Sequence, residues 1–205
     1  YARFRLSTDA AAANSTGPAS DGEVEDYVFT INRPAHQPVT IASFLKIASD
    51  TNGGPTLANS DGFGRSVTSL GDINGDGVTD LAVGAFFDDT GSVQSGAVHI
   101  LYLNADGSVE NFTTIASDTN GGPTLTEGSN FGTAVASLGD LDGDGVVDLA
   151  VGAARDDTGG TNRGAVYLLL LNSTGSVKSS TKIASSVNGG PNLVDDDSSG
   201  VSVAS

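Results

Sequence analysis

The chain has 205 residues, which is long enough for one large or two small domains with a hydrophobic core. With 25 Asp and Glu against 9 Lys and Arg, its net charge of -16 opposes binding to nucleic acid and to anionic lipid. The absence of cysteine excludes disulfides, thiolate zinc sites and cysteine nucleophiles, and no apolar run reaches the roughly 18 residues of a membrane span.

The N-terminal part of the chain differs from the rest. Residues 1–31 contain two predicted strands around a loop rich in Asn, Ser and Gly, and the acidic side chains of "DGEVEDYVFTI" (21–31) are either solvated or a further cation site. We expect them to be solvated. Residues 32–41, with two prolines and little apolar content, are a predicted linker.

From residue 42 onward the sequence repeats with a period of 68 residues. "KIASDTNGGPTL" (46–57) returns as "TIASDTNGGPTL" (114–125) and again as "KIASSVNGGPNL" (182–193). A fixed period of this size indicates one supersecondary unit that is used repeatedly. The chain therefore contains two complete units and the beginning of a third, in which Ser199-Gly200 replaces the Phe-Gly pair of the first two units.

Each unit carries four short strand patterns. In the first unit they are "RSVTSL" (65–70), "LAVGA" (81–85), "AVHILYL" (97–103) and "NFTTIA" (111–116). The continuous apolar run of the third pattern predicts a central strand that is buried on both faces. Four hairpin-linked antiparallel strands in 68 residues are the content of a propeller blade. We therefore predict an all-β fold, a partial β-propeller built of four-stranded antiparallel blades.

An aspartate-rich loop joins the first and second predicted strands of each unit, in "GDINGDGVTDLAVGAF" (71–86) and "GDLDGDGVVDLAVGAA" (139–154). Oxygen-bearing side chains fall at loop positions 1, 3, 5 and 9, and glycine at position 6 permits the bend that turns the position 7 carbonyl inward. Five hard oxygen donors suit Ca²⁺, whereas zinc and copper require nitrogen or sulfur. The predicted ligands are Asp72, Asn74, Asp76, the carbonyl of Val78 and Asp80 in the first loop, and Asp140, Asp142, Asp144, the carbonyl of Val146 and Asp148 in the second.

Other interpretations of the loops fit less well. Asp, Asn and Gly also form ordinary turns, but two copies of the full pattern favour a metal site. An EF-hand requires a glutamate at position 12 and a following helix, whereas these loops have Val83 and Val151 there, within a strand pattern. The calcium loops are therefore predicted hairpin bends.

A catalytic site is not indicated by the acidic clusters. The Asp-Asp pairs at 88–89 and 156–157 recur once per unit, whereas an active site is normally one constellation per domain. We expect these pairs to be solvated loop residues. His36 and His99 have no counterparts in the other units, and we expect each to be a surface or strand residue. The sequence thus predicts a protein that is not an enzyme.

The two loops differ in charge. The first has three carboxylates and the second has four. Carboxylates about 4 Å apart repel each other by up to roughly 4 kcal/mol at an effective dielectric constant of 20. On this basis the second loop is expected to bind calcium more tightly and to be more strained without it.

The residues from 42 to 205 resemble the FG-GAP repeats of integrin α-subunit propellers and of bacterial surface proteins. The resemblance rests on Phe-Gly, the aspartate loop, "DLAVGA" and the Gly-led apolar strand, and it implies propeller blades whose loops bind structural Ca²⁺. Phe86 and Ala154 stand where the family has its final proline. Residues 1–31 are similar to the end of the GEVED domain of large bacterial secreted proteins, through "GEVEDY".

The sequence therefore favours a fragment of a calcium-braced FG-GAP propeller from a large exported or cell-surface protein. Because a closed propeller needs about four to eight blades, further blades are expected outside this chain. The predicted function is adhesion or the binding of an extracellular protein or polysaccharide. Two alternatives stay open: an accessory repeat module of a secreted hydrolase, and a structural spacer on the cell surface.

Overall fold

Eight strands form two four-stranded antiparallel sheets in the computed structural model, which describes residues 44–204. The segments predicted at 1–31 and 32–41 lie outside the described residues. The described residues contain no helix, and so none that could cross a membrane. The first sheet consists of β1 (Phe63–Gly71), β2 (Asp80–Ala85), β3 (Ala97–Leu103) and β4 (Val109–Ile115), and the second of β5 (Phe131–Gly139), β6 (Asp148–Ala153), β7 (Ala165–Leu171) and β8 (Val177–Ala184).

Both sheets have the strand order that the sequence predicts for a blade. Within each, strands that follow one another in the chain are hydrogen-bonded neighbours, in the orders β1-β2-β3-β4 and β5-β6-β7-β8. The predicted all-β fold with four-stranded antiparallel blades is thereby confirmed. The strand ends differ by a few residues, since β1 starts at Phe63 rather than at Arg65 and β4 starts at Val109 rather than at Asn111.

The main core lies between the two sheets. Alanine and branched side chains of β2 and β3, such as Ala82 and Ile100, are buried there together with Leu149 and Tyr167 of the second sheet. The opposite face of the first sheet carries a smaller cluster that includes Leu101. β3 is therefore buried on both faces, as predicted, and its alternating residues belong to two different cores.

Two glycines bring the sheets into close contact. A Cβ atom on Gly84 of β2 would lie 2.0 Å from the carbonyl oxygen of Gly132 in β5. The beginning of the third unit repeats this arrangement, because a Cβ on Gly152 would lie 1.8 Å from the carbonyl oxygen of Gly200. The glycine of the Phe-Gly pair is thus a packing residue, and the third unit retains it although Ser199 replaces phenylalanine.

The repeated Asn-Gly-Gly-Pro segments bind to the outer strand of their own blade. Asn52 accepts a hydrogen bond at its carbonyl from the amide of Val109 in β4 (2.9 Å), and Asn120 does the same for Val177 in β8 (2.9 Å). The side chain of Asn52 donates back to the Lys46 carbonyl (2.7 Å). These segments are neither helical nor part of a central strand, as their Gly and Pro content predicts.

Candidate metal centres

Each aspartate loop joins the first strand of a sheet to the second. Residues 72–79 link β1 to β2, and residues 140–147 link β5 to β6. Position 12 of each loop lies inside a strand, at Val83 of β2 and at Val151 of β6. The loops are therefore hairpin bends, as predicted, and the geometry of an EF-hand is absent from both.

The aspartate at position 1 organises the loop backbone. Asp72 accepts hydrogen bonds at Oδ1 from the amides of Gly75 (2.7 Å) and Asp76 (3.0 Å), and at Oδ2 from the amide of Gly77 (2.8 Å). Gly75 and Gly77 have φ angles of 83° and 88°, which L side chains rarely adopt. The loop therefore wraps its amides around the Asp72 carboxylate.

The second loop repeats this scaffold. Asp140 accepts from the amides of Gly143 (2.7 Å) and Asp144 (3.1 Å) at Oδ1, and from Gly145 (2.8 Å) at Oδ2. The carboxylate at position 5 likewise accepts from the amide at position 7 in both loops, Val78 in the first (2.7 Å) and Val146 in the second (2.9 Å). Both valines are half-buried.

The aspartate at position 9 ties the loop to the blade. Asp80 is fully buried and accepts from the amides of Ile73 (3.1 Å) and Leu103 (3.0 Å), the latter at the end of β3. Burial raises the pKa of Asp80 despite these two hydrogen bonds. Asp148 is also fully buried and makes the equivalent bonds in the second loop.

The two loops differ at position 3. In the first, Asn74 donates its Nδ2 to Oδ2 of Asp76 (3.0 Å). In the second, position 3 is Asp142, and carboxylate oxygens of Asp140, Asp142 and Asp148 lie within 4.8 Å of one another. Within residues 44–204 this is the one such cluster of three acidic, histidine or cysteine side chains.

A lysine outside the predicted ligand set lies against the second loop. The ammonium of Lys178, on β8, bonds to Oδ2 of Asp142 (2.7 Å) and to Oδ2 of Asp144. These contacts raise the pKa of Lys178 and lower that of Asp144. The donor set of both loops consists of hard oxygens, and in the second loop a cation already lies on two of them, so the residues fit a divalent cation such as Ca²⁺.

Comparison with known proteins assigns the family. The FG-GAP repeat family matches residues 63–101 and 131–169, and each match spans one aspartate loop. The chain contains two FG-GAP repeats. Its matched segments begin at the Phe-Gly pair and end in the central strand, β3 or β7, of each sheet.

Integrin α subunits are similar to this chain. It is 42% identical to integrin alpha-6 of Homo sapiens over 108 residues, 52% of this chain and 9% of that one. It is 36% identical to integrin alpha-V of Gallus gallus over 169 residues, 78% of this chain and 15% of that one. It is 32% identical to integrin alpha pat-2 of Caenorhabditis briggsae over 136 residues, 64% and 11% respectively. The chain thus spans a small part of these relatives, and the GEVED resemblance of residues 1–31 stays a prediction.

The first member of each Asp-Asp pair, Asp88 or Asp156, is buried, so the expectation of solvated pairs is wrong for these two residues. Asp156 is 2% exposed. Its Oδ2 accepts from the hydroxyl of Tyr167 (2.8 Å) and pairs with the ammonium of Lys182 (2.9 Å). Burial raises the pKa of Asp156, but hydrogen bonds from Thr158, Lys182 and Tyr167 outweigh burial and hold the pKa below its ordinary value. Asp157 is exposed.

The first FG-GAP repeat buries Asp88 with different partners. Its Oδ2 lies 3.5 Å from Nε2 of His99, and its Oδ1 accepts from the amide of Thr90 (2.7 Å). His99 is a strand residue, as expected, but it is buried on β3, where Nδ1 lies 3.0 Å from the hydroxyl of Thr114. The buried aspartates therefore fix the loop after β2 or β6 to the central strand.

Proposed function

We propose that this chain is a calcium-binding, non-catalytic FG-GAP propeller module of a large exported or cell-surface protein, acting in adhesion or ligand binding. Its ligand would be an extracellular protein or polysaccharide. The observation that carries the calcium role is the shared backbone arrangement of the two loops. Asp72 and Asp140 each accept hydrogen bonds from the amides at positions 4, 5 and 6 of their own loop. The similarity to integrin α subunits supports the adhesion role.

The ion would be held by the side chains at positions 1, 3, 5 and 9 of each loop and by the carbonyl at position 7. A bound Ca²⁺ would supply positive charge that offsets the repulsion between these carboxylates. Asp80 and Asp148 transmit the order of the loop to the blade, because each bonds to an amide at the end of a central strand, Leu103 or Leu171. The proposed consequence is a blade that is more stable with calcium.

Calorimetric titration and thermal melting test this role. With calcium at 100 times the dissociation constant, a site present only in the folded state adds about 2.7 kcal/mol per site to the free energy of unfolding. We expect the melting temperature to rise in calcium relative to chelator, and the rise to shrink in Asp72→Ala. An unchanged melting temperature in calcium and in chelator would contradict the proposal.

A cleft at the opposite end of the blades is the proposed ligand surface. Its volume is about 360 Å³, and it is lined by residues at the starts of β1 and β5 and just after the ends of β2 and β6. The lining differs between the repeats: Arg65, Thr133 and Val201 occupy equivalent positions, as do Phe87 and Arg155. The repeats preserve the aspartates at positions 1, 5 and 9 of their loops and vary these cleft residues, as expected of a surface that recognises a ligand.

The charge of the cleft is also unusual for this protein. Among residues 44–204, Arg65, Arg155 and the exposed Lys46 have no carboxylate within 4.0 Å, whereas Arg163, Lys178 and Lys182 are all paired. Two unpaired guanidinium groups in a chain of net charge -16 suit a ligand that carries a carboxylate or sulfate.

Binding to arrays of extracellular proteins and of polysaccharides, in calcium buffer, tests the ligand role. We expect Arg65→Glu combined with Arg155→Glu to abolish the binding seen with the unmodified chain. Lys46→Glu is the control for the single reversals Arg65→Glu and Arg155→Glu, since it reverses one exposed positive charge that does not line the cleft. Absence of binding to every member of both arrays would favour a structural spacer instead.

The domain limits belong to the same proposal. We propose that the FG-GAP repeats occupy residues 42–205, that residues 32–41 are a linker, and that residues 1–31 end a GEVED-like domain. Limited proteolysis tests these limits: cleavage between residues 32 and 41 should release a resistant fragment that contains both sheets. Preferential cleavage inside the repeats would contradict them.

A further inference from the structure

Lys178 makes the second aspartate loop chemically different from the first. Its side chain is 31% exposed, and its ammonium bonds simultaneously to Asp142 and Asp144, whose side chains are 30% and 34% exposed. These carboxylates are positions 3 and 5 of the loop. A cation that belongs to the chain therefore lies against two of the proposed calcium ligands.

Within residues 44–204, no lysine or arginine pairs with a carboxylate of the first loop. The residue 68 positions before Lys178 is Glu110, which lies on β4 as Lys178 lies on β8. In the first loop, the amide of Asn74 donates to Asp76 directly. In each loop one side-chain donor thus binds the carboxylate at position 5. The donor is the uncharged amide of Asn74 in the first loop and the ammonium of Lys178 in the second.

The lysine cancels the charge difference between the loops. The first loop has three carboxylates, whereas the second has four carboxylates and one ammonium, so both have a net charge of -3. The expectation that the second loop binds more tightly rested on carboxylate number alone. It also ignored a second effect: a calcium ion that takes both Asp142 and Asp144 must displace the ammonium from them.

We propose that Lys178 is a built-in counter-cation of the second loop, which orders Asp142 and Asp144 without metal and competes with calcium for them. This inference rests on the proposed calcium function. The first loop is then the tighter calcium site, and the second loop is the one that keeps its structure when calcium is scarce. The two repeats of one chain would respond to calcium at different concentrations.

The test uses the 205-residue chain with one loop silenced at a time. In the background of Asp72→Ala, which leaves the second loop to be measured, Lys178→Met removes the charge and keeps a long side chain. We expect calorimetry to give a calcium dissociation constant about tenfold lower for Lys178→Met, because the affinity of such loops follows their ligand charge. Lys46→Met is the matched control, since it removes one exposed lysine that pairs with no carboxylate of the second loop, and it should leave the constant unchanged.

The reverse exchange tests the first loop. In the background of Asp140→Ala, Glu110→Lys should weaken calcium binding by a factor of ten or more, since it introduces an ammonium at the equivalent position. Thermal melting in chelator supplies a readout without metal: Lys178→Met should lower the melting temperature in chelator and lower it less in calcium.

The outcomes separate this inference from the proposed function. If the second loop binds calcium and Lys178→Met binds it no more tightly than Lys46→Met, the competition is refuted while the calcium role stands. If neither loop binds calcium in the unmodified chain or in Lys178→Met, the calcium role and the competition fail together.

Discussion

The contact between Gly84 and Gly132 provides a direct test of how neighbouring blades pack. Gly84 does not have a positive φ angle, so alanine can adopt its backbone conformation without strain. The added Cβ would lie 2.0 Å from the carbonyl oxygen of Gly132 and 3.4 Å from its Cα. A loss of stability in Gly84→Ala therefore comes from the contact between the two sheets.

The size of the effect follows from that distance. A Cβ atom and a carbonyl oxygen stay more than 3.0 Å apart in proteins, so the sheets must separate by about 1 Å. The backbone of Gly84 is held on both sides, because Gly84 pairs with Ser66 of β1 and with Val98 of β3. Gly132 lies in a bulge of β5, between Phe131 and Ala134, which both pair with β6. Overpacking of this kind costs about 3 kcal/mol. For a folded unit of this size, that corresponds to a fall of about 6 to 12 °C in the melting temperature.

Circular dichroism melting of Gly84→Ala measures this fall, and Gly128→Ala is its control. Gly128 has a φ angle of 75° and nothing within 4 Å of an added Cβ, so alanine there adds backbone strain without a clash. That strain costs about 1 kcal/mol, or about 2 to 4 °C. If Gly84→Ala melts no lower than Gly128→Ala, the two glycines do not set the distance between the blades.

Three further predictions concern single side chains. Because the pKa of Asp156 is below its ordinary value, its charge stabilises the fold above about pH 4, and this contribution is lost as the pH falls. In urea titrations, Asp156→Asn should therefore lower the free energy of unfolding more at pH 7 than at pH 3. An equal loss at both pH values would contradict a stabilising charge on Asp156. Phe131 is fully buried and packs edge-to-face against Tyr167, so Phe131→Ala should lower the free energy of unfolding by about 3 to 5 kcal/mol. A decrease of less than about 1 kcal/mol would refute the role of Phe131 in the core. Arg163→Ala breaks an exposed ion pair with Asp195 and should change the free energy of unfolding by less than about 1 kcal/mol, whereas a larger loss would show that the pair is not screened by solvent.

The sequence predicted those parts of the fold that depend on local patterns. Alternating and continuous apolar runs gave the eight strands, and the 68-residue period showed that the second sheet would copy the first. The loop positions were also predictable, because the bend requires glycine at positions such as Gly77 and Gly145. Strand ends were less predictable: β1 starts at Phe63 because that residue pairs with Ala85 across a bulge.

The contacts of the acidic side chains were not predictable from local sequence. Asp156 is buried because Tyr167 and Lys182, 11 and 26 residues further on, lie beside it in the fold. An Asp-Asp-Thr sequence alone is typical of an exposed turn, and only the partner on the central strand makes burial favourable. Lys178 was missed for the same reason, since its partner Asp142 is 36 residues away.

The differences between the two repeats nevertheless contain this information. Where the first repeat has His99 and Thr114, the second has Tyr167 and Lys182. His99 and Thr114 contact each other, and Tyr167 and Lys182 both contact the buried Asp156. The exchange of Glu110 for Lys178 likewise accompanies the exchange of Asn74 for Asp142, and in the second repeat the exchanged residues are bonded. Substitutions between copies of one structure occur together where the side chains meet, because a new charge needs a new partner. In a chain with internal repeats, comparing the copies at a fixed period therefore reveals long-range contacts that neither copy shows alone.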